Sequence, residues 1–112
     1  MHSKCLALLH DTYEDARPGE KLMVYDAIVA EFGQQMADEV VMLSRKKEQH
    51  ETYYEFIMRI VASNNWRVME VKVADLDDNL DGAEPGSRTD KYWLARHLIS
   101  AARAEAYINS IP

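Results

Sequence analysis

His10, Asp11, Glu14 and Asp15 bring an imidazole and three carboxylates into one short stretch of the chain. On a helix, Asp11, Glu14 and Asp15 stand at i, i+3 and i+4, so a single turn aims all three to one side. Asp75 and Asn79 form another i, i+4 pair much later. Each group follows a largely apolar stretch, Leu6-Ala7-Leu8-Leu9 in the first case and Val71-Lys72-Val73-Ala74 in the second. Carboxylates and an imidazole at the ends of buried segments are the donors a divalent cation takes, with manganese, iron, zinc and magnesium all suited to oxygen and nitrogen ligands. The single cysteine, Cys5, excludes a thiolate-rich site. Such an ion lowers the pKa of bound water and polarises a phosphoryl oxygen. A carboxylate beside it, Glu14 or Asp15, would orient that water or move its proton. A lone His-Asp dipeptide is a weak motif, and its plain alternative is a helix-end histidine beside a solvated acidic turn.

The elements that must position these residues are helices. Residues 3–10 are too short for a full helix and look like the last turns of one, with residues 11–20 a polar stretch ending in the turn Pro18-Gly19. Leu22, Tyr25, Val29 and Phe32 recur at helical spacing until Gly33. Met36, Val40 and Leu43 mark a second helix, expected to close in the basic run Arg45-Lys46-Lys47, where cations suit a helix C-terminus. Tyr53, Phe56, Ile57, Ile60 and Val61 give an i, i+3, i+4, i+7, i+8 stripe that Ser63-Asn64-Asn65 breaks. The stretch 66–80 reads two ways. Met69, Val71 and Val73 alternate like a strand, while Met69, Val73, Leu76 and Leu80 share a helix face. No partner strand appears elsewhere, and a lone strand leaves its backbone unsatisfied, so helix is expected. Gly82, Pro85 and Gly86 form a loop, Ser87 to Asp90 resembles a capping box, and a last helix puts Ala95, Leu98, Ile99, Ala102 and Ala106 on one side.

At 112 residues, with 47% hydrophobic and 29% charged residues, the chain suits one soluble domain spanning 1–112. Four Gly and three Pro leave few turns and favour long helices. A net charge of −6 argues against a nucleic-acid polymer as partner but not against a small phosphorylated molecule, because a bound metal inverts the local charge. One cysteine and no signal peptide or long apolar run point to a reducing cytoplasm and no membrane.

The segment Leu8 to Asp15 resembles the signature of HD-domain phosphohydrolases, particularly the hydrolase domain of the RelA/SpoT alarmone enzymes and small stand-alone bacterial and phage HD proteins. Further likenesses follow in family order: Glu31-Phe32-Gly33 with Val40 to Arg45, Glu51 to Ile57, and Val71 to Leu80, together covering roughly residues 5–105. The resemblance implies an all-α, HD-like bundle of five to six helices. It also implies a divalent metal, manganese first, held by His10, Asp11 and Asp75 with one further His upstream. It casts Glu14 and Asp15 as the groups that assist the hydrolytic water and Asn79 as a substrate neighbour; Lys72 is expected there too. The substrate implied is a nucleotide-like phosphate ester or anhydride.

Two features depart from that pattern. The upstream His belongs to a helix expected to precede residue 1. His2 is a poor substitute, eight residues before His10 and about 12 Å along the same helix. The segment Leu80 to Glu84 is acidic where the alarmone enzymes are basic, a difference that favours the small stand-alone proteins. The alternative is therefore a degenerate HD module kept for binding or oligomerisation. A missing first helix would expose Leu6, Leu8 and Leu9, which a second copy of the chain is expected to cover, giving a homodimer.

Competing motifs are weaker. Asp77, Asn79, Asp81 and Gly82 fit the opening of an EF-hand loop, but Arg88 stands where the bidentate Glu belongs. Arg45 to Lys47 could attract a phosphate, with a solvated helix end as the plainer reading. Six Met read as core filler, and Trp66 and Trp93 suit either core or surface. His50 and His97 are expected at the surface, His97 being the reserve candidate for a replacement ligand.

Overall fold

The computed structural model describes residues 2–111, with the side chains of residues 2 and 3 outside the description; His2 as a ligand therefore lies outside it. The fold is all-α. Six helices follow one another: α1 (His2–Asp15), α2 (Lys21–Phe32), α3 (Gln34–Met42), α4 (Tyr53–Ala62), α5 (Trp66–Leu80) and α6 (Ser87–Asn109). Two single turns of 3-10 helix, Pro18–Glu20 and Lys47–Gln49, sit in the connections, and no strand occurs among the described residues. No helix there is long and apolar enough to cross a membrane. The chain divides into two compact units, residues 1–56 and 57–112.

In the first unit α1 packs on α2 and α3. Leu6, Ile28, Met36, Ala37, Val40, Leu43 and Phe56 are buried. α1 is a full helix of 14 residues that runs on through Asp15, into the polar stretch 11–20 that the sequence sets after a short helix end at residues 3–10. Its end is held from outside. The Lys21 ammonium donates to the carbonyls of Tyr13 (3.0 Å) and Glu14 (3.2 Å), groups that a helix's last turn cannot bond internally. Of the apolar residues near its start, α1 buries Leu6, half buries Leu9 and leaves Leu8 exposed.

Gly33 joins α2 to α3 with φ +94°, a left-handed backbone that glycine adopts without strain, and its N–H returns to the Val29 carbonyl. α3 stops at Met42. The cations Arg45, Lys46 and Lys47 thus lie beyond the helix instead of on its last turn. α4 opens on a reciprocal capping box: the Glu55 N–H donates to Thr52 Oγ1 (3.1 Å) and the Thr52 N–H to Glu55 Oε1 (2.9 Å).

In the second unit α5 and α6 form an antiparallel hairpin. Trp66, at the start of α5, meets Tyr107, near the end of α6, edge to face at 5.4 Å. Arg96 of α6 donates to Asp77 of α5. Asn65 caps α5, its side-chain oxygen accepting from the N–H groups of Arg67 (3.1 Å) and Val68 (3.2 Å). The strand-like alternation of 69–73 has a packing cause. α5 buries a wide face, so Val68, Met69, Val71, Val73 and Leu76 are all inside, and residues two apart both qualify. The helix also removes the EF-hand reading, since Asp77 to Leu80 are helical and Asp77 is engaged by Arg96. Ser87 is not a cap: Gly86 holds that position, with no side-chain bond to the helix.

Candidate metal centre

His10 lies two-thirds of the way along α1 and is only 8% exposed, while the side chain of Asp11 is 72% exposed. The helix thus turns an inward imidazole and an outward carboxylate toward each other at its surface. His10 Nε2 stands 3.2 Å from Asp11 Oδ1. Metal–ligand bonds of about 2.1 Å put neighbouring donors of an octahedral ion about 3.0 Å apart, so the pair has the spacing of two adjacent ligands. The same spacing suits an Nε2–H hydrogen bond to the carboxylate.

The other ring nitrogen separates these cases. Nδ1 is sealed from solvent and has no hydrogen-bond partner among the described residues. With the proton on Nε2, Nδ1 is a bare lone pair. With a cation on Nε2, Nδ1 carries the proton and would ordinarily donate it to a carbonyl or carboxylate. His10 and Asp11 therefore fit a cation as donors, with the ring less braced than that of most metal-bound histidines.

Glu14 is half-buried one turn beyond His10, and Asp15 is exposed at the helix end. In the second unit Asp75 accepts from Lys72 one turn earlier on α5, Nζ to Oδ2 3.0 Å. Lys72 is largely buried, Asp75 partly so, and Asn79 is exposed a turn further on. Within either unit, among the described residues, no three His, Cys, Asp or Glu side chains gather closely enough to hold an ion. The ligand set implied by the resemblance takes His10 and Asp11 from one unit and Asp75 from the other. His50 and His97 are both exposed.

A cleft of about 400 Å³ opens in the first unit beside the end of α1. Tyr13, Lys21, Val41, Arg45, Lys46 and Glu48 line it. Three cations against one carboxylate make it locally basic in a chain of net charge −6. Tyr13 lies three residues beyond His10, so the cleft and the imidazole share a side of α1. Arg45 and Lys46 carried a sequence signal, but Lys21 did not. It is placed by backbone carbonyls and by the ring of Tyr13, 4.7 Å from its ammonium, neither of which leaves a motif. Trp66 borders a smaller hollow with Glu70, Arg103 and Tyr107, whereas Trp93 is exposed.

No family model, curated protein or solved structure matches the chain, and the chemistry of this site rests on its own residues.

Proposed function

We propose that the chain is a metal-dependent phosphohydrolase of the HD type that acts on a nucleotide-like phosphate ester or anhydride. The observation that carries this reading is the pairing of buried His10 with Asp11 at 3.2 Å. In it, His10 and Asp11 are ligands of a divalent ion, manganese first, with iron, zinc or magnesium as alternatives. The ion, when bound, supplies an acidified water and charge neutralisation at the phosphoryl group. Hydrolysis joins the water oxygen to phosphorus, breaks the bond from phosphorus to the leaving oxygen, and passes the water's proton on. Glu14, half-buried one turn beyond His10, is the carboxylate that takes this proton, and Asp15 orients the water. Arg45 and Lys46, in the basic cleft on the same side of α1, hold an anionic group of the substrate.

The test is hydrolysis of a panel of nucleoside mono-, di- and triphosphates by purified protein with added manganese. Release of phosphate or pyrophosphate by the wild type, abolished in Asp11→Asn, is the expected result. No turnover on any member of the panel contradicts the enzyme reading.

A second reading has its own support. The Lys72–Asp75 ion pair occupies one oxygen of the third ligand, and neither unit alone gathers three ligands among the described residues. On that reading the helices persist as a binding or oligomerisation module without turnover.

A further inference from the structure

α6 is the longest helix, at 23 residues, and it is apolar on two opposite sides. Ala95, Ile99 and Ala106 are buried on one. The other carries Trp93 (54% exposed), Leu94 (63%) and Ile108 (66%), with Leu98, Ala101 and Ala104 also exposed. Polar and charged residues such as Arg96 and Arg103 separate the two sides, and an exposed apolar patch of this kind marks a contact surface.

We propose that this face pairs with α6 of a second copy of the chain, antiparallel and crossing at Ala101. The spacing supports self-recognition. Leu94, Ala101 and Ile108 fall seven residues apart, the repeat that keeps one stripe facing a partner helix. A twofold axis at Ala101 brings Leu94 level with the partner's Ile108 and Leu98 level with the partner's Ala104. Ala101 meets itself, and a small side chain at the crossing lets the two backbones approach. His97 and Glu105, four residues either side of Ala101, are both exposed. The same axis sets His97 level with the partner's Glu105 twice over. A parallel pairing would instead set His97 beside the partner's His97 and Glu105 beside the partner's Glu105. An imidazole N–H can donate to a carboxylate whereas two carboxylates repel, which favours the antiparallel arrangement. The exposed side chains amount to roughly 600 Å² per chain, which places the pair at the lower edge of specific interfaces.

This inference is independent of the metal site, and sedimentation velocity at micromolar concentration tests it. The wild type is expected to sediment as a dimer. Ala101→Glu buries two like charges at the crossing and is expected to weaken association by about a hundred-fold or more. Because Ala101 is exposed, its circular dichroism should stay that of the wild type. His97→Glu is expected to weaken the dimer and His97→Glu with Glu105→Lys to restore it. A monomeric wild type, showing that something other than a second copy covers α6, overturns the proposal. So does a dimer indifferent to Ala101→Glu, or a failure of the charge exchange to restore association.

Discussion

The imidazole of His10 stands 3.2 Å from the carboxylate of its sequence neighbour Asp11, although the first side chain is buried and the second faces water. Adjacent residues on a helix point about 100° apart, so this approach occurs where the ring lies at the edge of the core. That position sets Nε2 beside the exposed carboxylate while Nδ1 stays sealed from solvent.

The basic cleft makes an anion prediction that needs no catalysis. Inorganic pyrophosphate, titrated calorimetrically into metal-free protein at low salt, is expected to bind, and Arg45→Ala with Lys46→Ala to weaken it about ten-fold, the scale of one or two charge-assisted hydrogen bonds. Equal affinity in the double variant removes the cleft from substrate recognition.

Asn65 makes a stability prediction. Its side-chain oxygen satisfies two N–H groups at the start of α5, so Asn65→Ala should cost about 1 kcal/mol in urea unfolding at unchanged m-value. A loss indistinguishable from zero means that water replaces the cap.

Gly33 isolates a backbone term. Nothing lies within 4 Å of where a Cβ would be built, yet φ is +94°. Gly33→Ala is therefore expected to destabilise by about 1–2 kcal/mol through strain alone, without a clash. A neutral or stabilising result shows that the α2–α3 turn relaxes freely.

Much of the fold is legible in the sequence. The stripe from Tyr53 to Val61 yields α4 because one face is buried at helical period, and Gly33 ends α2 where it should. The failures have definite causes. Thr52 and Glu55 form the real capping box, whereas Ser87 to Asp90 has the right spacing but no bond, since caps depend on where the chain enters the helix. α1 outlasts its apolar run because Lys21, from the next helix, binds its terminal carbonyls. Of the candidate site, the His10–Asp11 pair and the Lys72–Asp75 pair are both local in sequence, and such i, i+1 and i, i+3 relations are what a sequence can display. The cleft is assembled from three separate segments, and only two of its three cations, Arg45 and Lys46, are visible in the sequence.

Tyr25 supplies a pH prediction. Its hydroxyl donates to Asp38 Oδ1 at 2.8 Å, and that carboxylate raises the phenol above its ordinary value by favouring the protonated form. The stabilisation is fully present below the unfolded tyrosine's pKa and is lost as pH rises through the raised one. In alkaline difference spectra of wild type against Tyr25→Phe, the missing transition should lie above the usual tyrosine range, and Asp38→Asn should bring it back down. An unmoved transition in Asp38→Asn contradicts the assignment.

The central claim is that His10 and Asp11 bind a metal, and equilibrium dialysis against manganese with elemental analysis measures it directly. One ion per chain in the wild type, lost in His10→Ala and weakened by at least about ten-fold in Asp11→Asn, is the predicted result. A wild type without bound metal, or one whose metal is unaffected by His10→Ala in a protein that remains folded, would contradict it.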